Sequence, residues 1–109
     1  MILEFDKMPT GTFPHFKGGE GALTARSYAD EHNRILHATL APGSSIGWHV
    51  HDTSSEIIYI LSGEGKLLEQ QGESRLSAGM CHYCPKGCGH SILNDGEEDL
   101  VLFAVVPQQ

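Results

Sequence analysis

The sequence predicts an all-β fold, and three observations carry that prediction. Turn-forming residues recur at short intervals, from Pro9, Gly11 and Pro14 through Pro42-Gly43, Gly63, Gly65, Gly72 and Gly79 to Pro85, Gly87, Gly89 and Gly96. The runs between them hold about five to eight residues, the length of strands and not of globular helices. No stretch keeps apolar residues at i, i+3, i+4 and i+7 for more than two turns, the spacing an amphipathic helix needs. Short strands at regular spacing favour a sandwich or a closed barrel, because closure removes unpaired edges.

With 109 residues the chain suits one domain. Residues 1–21 are the least regular part, and Phe5, Phe13 and Phe16 give them apolar weight. This opening segment is expected to pack on the barrel or across a neighbouring subunit, which makes a homodimer the expected assembly. Residues 22–109 then form the barrel itself. Strands are expected at 23–28, 35–40, 57–61, 66–70, 82–84, 90–93 and 100–105, with residues 29–33 able to form one short helix.

Charge narrows the partners. A formal net charge of -7 repels a phosphate backbone, whose binding needs clustered Lys and Arg, so nucleic acid and anionic membranes are poor partners. No apolar run approaches the ~20 residues of a membrane helix, and the first seven residues carry Glu4 and Asp6 where a signal peptide carries bases. A cytoplasmic location is the expectation. Cys81, Cys84 and Cys88 are an odd number crowded into eight residues, unlike a secreted disulfide framework, and reduced thiols are the default.

The chemistry concentrates around two histidines. His49 and His51 lie two apart, so on an extended strand both imidazoles leave one face with Cα atoms ~6.6 Å apart. Glu56 follows the turn-like Asp52-Thr53-Ser54-Ser55, and a hairpin return there would bring its carboxylate beside the two rings. Imidazole nitrogen and carboxylate oxygen suit Mn, Fe, Co, Ni, Cu or Zn, and three protein ligands leave positions open. Taken alone, His-x-His serves equally well as a solvated strand face. Its surroundings decide. Gly43 sits six residues before His49 and Gly63 seven after Glu56, while a second block, Gly79-x5-Pro85-x-Gly87-x2-His90-x3-Asn94, supplies another histidine after a Pro/Gly turn.

These ten positions resemble the two motifs of the cupin superfamily, G-x5-H-x-H-x3,4-E-x6-G and G-x5-P-x-G-x2-H-x3-N, with every spacing kept. The intervening 15 residues, 64–78, are at the short end of the family's range, as in compact microbial members. The resemblance implies a double-stranded β-helix (jelly-roll) cupin barrel. It also implies one divalent transition metal per chain, Fe, Mn, Ni, Zn or Cu, held inside by His49, His51, Glu56 and His90. Many members carry an acid after the first glycine of the second motif, where this chain has Met80, a position peripheral to the ligands. The glycines and Pro85 serve turns, and Asn94, on one strand face with His90 and Ile92, anchors the strand end.

Other residues are weaker candidates. Cys81-x2-Cys84-x3-Cys88 has the look of half a zinc or iron–sulfur site, but the fourth thiolate is missing and Cys84 reads as a small buried hydrophobe. Tyr59 and His82 are possible pocket acid/base groups, although Tyr59 alternates away from Glu56 toward core or interface packing. Arg34 and His37 would line the cavity and orient an anionic substrate if directed inward, or form a solvated strand face. Trp48 points opposite to His49, as a packing residue. Gly19-Glu20-Gly21 is too short for a dinucleotide loop, but could make a flap that carries Glu20 as a lid acid.

The resemblance extends to oxalate decarboxylases and simple dioxygenases. It implies a metal-dependent enzyme of oxidoreductase or lyase type (dioxygenase, decarboxylase, isomerase or lyase) acting on a small oxygen-rich metabolite such as a carboxylate or enol. The competing reading is a non-catalytic module that binds or senses a sugar or carboxylate. A storage role comes third, since metal-free relatives typically lose these side chains.

Overall fold

A computed structural model describes all 109 residues. Ten strands form two antiparallel sheets: β1 (Gly11–Pro14), β2 (Ala22–Ala29), β3 (Asn33–Leu40), β4 (Ser45–Val50), β5 (Glu56–Ser62), β6 (Glu64–Glu69), β7 (Gly72–Ser77), β8 (Cys81–Cys84), β9 (Gly89–Leu93) and β10 (Leu100–Pro107). The larger sheet runs β1-β2-β3-β10-β5-β8 and the smaller β4-β9-β6-β7. Two 3₁₀ turns, Phe5–Lys7 and Phe16–Gly18, complete the regular structure. No helix is long and apolar enough to cross a membrane.

Alternation along the strands builds the core. On β10, Leu100, Leu102 and Ala104 are buried between the sheets while Val101, Phe103 and Val105 turn outward. On β5, Ile58 and Ile60 do the same, leaving Ile57, Tyr59 and Leu61 on the outside. The 13-residue core cluster draws Ile46, Leu67, Leu76 and Ile92 from the smaller sheet and the rest from the larger. Apolar faces from both layers thus meet at the centre of the barrel.

The structure corrects several expectations. Residues 29–33 form no helix: β2 ends at Ala29, and the Asp30 carboxylate accepts hydrogen bonds from the backbone N–H of His32 and Asn33, closing a turn into β3. Nor is there a hairpin between His51 and Glu56. β4 and β5 lie in different sheets, so residues 51–55 cross from one layer to the other. β1, β4 and β7 fall outside the strands expected from the sequence; β7 is polar apart from Leu76, and only its ladder with β6 makes it a strand.

The opening segment joins the barrel. β1 adds an edge to the larger sheet by pairing with β2. The turn after it lies against β4, where the Ser45 N–H donates to the Glu20 carbonyl and the Glu20 N–H donates to the Ser45 hydroxyl. The approach is so close that a Cβ on Gly47 would stand 2.1 Å from the Lys17 carbonyl oxygen. Only glycine fits there.

Candidate metal centre

Four side chains converge at one end of the barrel interior. His49 comes from β4, His90 from its neighbour β9, Glu56 from the first residue of β5, and His51 from just beyond β4. His49 and His90 are cross-strand partners. A register shift between Ile46 and His49 spends three residues of β4 against two of β9, between Ile46↔Ile92 and His49↔His90. That bulge lets both Ile46 and His49 face inward, although an odd spacing would otherwise send them to opposite sides.

The ring nitrogens meet closely. Nε2 of His49 lies 3.1 Å from Nε2 of His51 and 3.2 Å from Nε2 of His90, and the last two are 3.1 Å apart. Glu56 Oε1 stands 3.0 Å from both His51 and His90 Nε2. Each Nδ1, by contrast, has a partner on the outside of the cluster: the Gly47 carbonyl at 2.8 Å for His49, the Ser54 hydroxyl at 3.1 Å for His51, and His82 Nε2 at 2.9 Å for His90. These contacts fix the ring orientations and turn every Nε2 inward, as in metal-bound imidazoles supported from behind.

The donor set fits a transition ion. Donors ~2.1 Å from a six-coordinate centre stand about 3.0 Å apart when cis, against about 3.4 Å around a four-coordinate one. Four of the five observed separations, at 3.0–3.1 Å, are nearer the first, and the fifth, at 3.2 Å, lies midway. All four ligand atoms lie within 4.8 Å of one another, so the group can hold one ion. A six-coordinate ion held by these four donors would have two positions left for ligand oxygens.

Local electrostatics favour the unprotonated forms of His49 and Glu56. Burial lowers the His49 pKa, against the opposing pull of the Gly47 carbonyl. Burial pushes the Glu56 carboxyl up, but its hydrogen bonds with His51 and His90 outweigh that and hold it at about 2. Burial also lowers His82.

The cluster forms the polar floor of a cavity of about 270 Å³, just below the sizes usual for drug-sized ligands and so suited to a smaller molecule. Leu36, Ala38, Ile58 and Leu102 supply apolar wall, and Phe13, Phe16 and Lys17 of the opening segment close one side. Arg34 reaches this cavity; His37, an odd three residues further along β3, does not. It lies on the outer face of the larger sheet, with its ring 5.9 Å from Phe5, because residues 34, 36 and 38 take the inward positions of β3. His82 is buried behind His90 and does not reach the cavity lining, so the structure does not place it as a pocket acid. Glu20 is exposed and outside the lining, and so is not placed as a lid acid. Tyr59 turns outward.

The cysteines do not gather. Cys81 is exposed and Cys84 buried, on opposite faces of β8. Burial, with Cys88 nearby, pushes the Cys84 thiol up to about 11. A second group, His82, Cys84 and His90, lies behind the first and shares His90 with it. Trp48 packs outward across Gly89, where a Cβ would meet its ring at 2.6 Å. The supporting groups Gly47 and Ser54 escaped the sequence reading, the first because a backbone carbonyl has no residue signature. So did Lys17, which lies in an irregular turn.

The cupin domain family model matches residues 36–106, which include all four clustered side chains. This chain belongs to the cupin family. Among characterised relatives, it is 30% identical to an oxalate-binding protein of Thermotoga maritima, over 97% of this chain and 93% of the relative. Among solved structures it resembles a predicted oxalate decarboxylase from Thermotoga maritima, with a TM-score of 0.93, 29% identity and complete coverage of both chains. A cupin 2 conserved barrel domain protein from Salinispora arenicola matches with a TM-score of 0.69 and 26% identity, covering 77% of this cupin and 74% of the other.

Proposed function

We propose that this cupin binds a small carboxylate, oxalate or a close analogue, as a chelate on a divalent transition metal held by His49, His51, Glu56 and His90. The observation that carries the proposal is the inward convergence of three Nε2 atoms and one carboxylate oxygen with every Nδ1 secured from outside. The ion would act as a Lewis acid and template for ligand oxygens. The oxalate-binding relative supports the ligand class. Glu56 is the only carboxylate in the cavity lining, and it is committed to the cluster, so no free carboxyl group serves as proton donor. That favours binding over acid-assisted decarboxylation. A metal-dependent oxidoreductase or lyase is the second reading, favoured by a donor set that leaves room for two further ligands.

The test is elemental analysis of untagged protein followed by calorimetric titration with oxalate, with and without the metal. We expect about one ion per chain and binding that disappears on chelation and in His51→Ala. Unchanged oxalate affinity after metal removal would refute the proposal. Turnover of oxalate or of a related acid by the metal-loaded protein, abolished by the same substitution, would establish the second reading.

We also propose a homodimer formed through the outer face of the larger sheet. Ile57, Tyr59, Leu61 and Tyr83 stand 40–56% exposed there, and the adjoining outward positions Cys81, Val101, Phe103 and Val105 carry no charge. In a chain of net charge -7, this is a face on which two copies meet without repulsion.

A further inference from the structure

The seven lysines and arginines are outnumbered by 14 acids, so an anion approaching this molecule meets a repulsive field unless cations are placed for it. Five of the seven are engaged elsewhere. Lys7 pairs with Glu4 at 3.2 Å, Lys66 with Glu73 at 3.5 Å and Arg75 with Asp95 at 2.5 Å. Arg26 donates to the Thr10 hydroxyl and Lys86 to the Gln109 carbonyl. The two that remain, Lys17 and Arg34, meet neither a carboxylate nor a hydrogen-bond acceptor, and both line the cavity above the His/Glu cluster.

They arrive from unrelated parts of the chain. Arg34 stands at an inward position of β3, opposite Val106 of β10. Lys17 belongs to the opening segment and has a left-handed backbone at φ 55°, ψ 28°, uncommon for a side chain of its size. Its carbonyl is seated against Gly47, and its ammonium lies 5.5 Å from the Phe16 ring centroid. A residue held in a disfavoured conformation with its charge left unpaired at a cavity mouth suggests a ligand role. Nothing in the cavity neutralises the two charges, because Glu56 faces the imidazoles, and both cations stand exposed at its mouth where an entering anion meets them first.

We infer that Lys17 and Arg34 select dianionic ligands: two ligand oxygens chelate the metal, and the negative charge on the oxygens left over is met by these two cations. The inference rests on the carboxylate-binding function proposed above and adds the determinants of its specificity. A monoanion such as pyruvate satisfies the metal and leaves the cations unanswered. Oxalate or oxaloacetate satisfies both.

The experiment is calorimetric titration of metal-loaded protein with oxalate, oxaloacetate, pyruvate, 2-oxobutyrate and acetohydroxamic acid, which loses its proton on chelation and binds as a monoanion. It compares wild type with Arg34→Gln, Lys17→Gln and the double variant, with metal content and melting temperature recorded for each. Wild type is expected to favour the dianions by tenfold or more. The double variant should lose at least tenfold in dianion affinity while changing less than twofold toward pyruvate and acetohydroxamate. Arg34→Gln, on an exposed strand position where folding is not at risk, should show part of the same loss. Monoanions and dianions bound alike by wild type, or a dianion preference that survives in the variants, would overturn the inference and leave the carboxylate-binding function standing. No carboxylate binding by metal-loaded wild type would overturn both.

Discussion

His82 shows how much of this site depends on residues that never face the ligand. Its Nε2 is 2.9 Å from His90 Nδ1, and it is the only side chain supporting that ring from behind. Removing such a partner commonly weakens metal affinity by about 10–100-fold. His82→Phe should therefore lower the affinity for the metal, measured by competition with a chelating dye, while His82→Gln, which can still accept a hydrogen bond, should recover part of it. Equal affinities in all three proteins would remove His82 from the site. Asn94 is structural by comparison: its amide donates to the Leu40 and Glu98 carbonyls and its oxygen accepts from the Gly96 N–H, all in a buried position. At about 1 kcal/mol per bond, Asn94→Ala should cost roughly 2–3 kcal/mol, a fall in Tm of at least about 8 °C, with no change in metal selectivity.

Protonation of the metal-free protein is a further residue-scale consequence. Burial holds His49 and His82 below the ordinary 6.5, so their contribution to stability is complete above that pH and is lost as the pH falls beneath it. Glu56 is depressed from 4.5 to about 2, so its contribution is complete above pH 4.5 and is lost as the pH falls toward 2. Both act in one direction. The Tm of chelator-treated protein should decline steadily from pH 7 to pH 3, and a flat profile would contradict this account.

Among the elements, the contact between the opening segment and β4 is the most sensitive to change. A methyl group at position 47 would meet the Lys17 carbonyl at 2.1 Å and the Gly19 nitrogen at 2.8 Å, both backbone atoms. Gly47→Ala should lift the segment, cost about 1–3 kcal/mol, and speed tryptic cleavage after Lys17, read by mass spectrometry. An unaltered cleavage rate would mean that the segment is held in place by something else.

The elements also show what the sequence made legible. Strands β3 and β10 were recognisable from their apolar runs between breakers, and motif spacing singled out the four side chains that converge in the fold. β7 was not recognisable, because Gly72–Ser77 buries only Leu76 and owes its strand character to β6. The β4 bulge left no residue signature, and the sheet change between His51 and Glu56 depends on long-range pairing. Arg34 and His37 could be told apart only once the inward register of β3 was fixed.

For the whole molecule, the uncharged patch that β5, β8 and β10 present on the outer face of the larger sheet sets the expected assembly. Light scattering after size exclusion should give about twice 11.9 kDa, and a Tyr83→Asp substitution, placing a charge at the most exposed of the four apolar positions, should shift it toward 11.9 kDa with the metal retained. A monomeric wild type would exclude the proposed interface.

The donors of the candidate centre come from both layers: His49 and His90 stand on the smaller sheet, Glu56 on the larger, and His51 on the crossing between them. An ion seated there would rivet the two halves of the sandwich together at the end where the hydrophobic core gives way to a hollow. Because it binds the folded chain and not the unfolded one, occupancy becomes thermal resistance, growing with free metal by about 1.4 kcal/mol per decade above the dissociation constant. The melting temperature of this protein would then serve as a gauge of its own cargo.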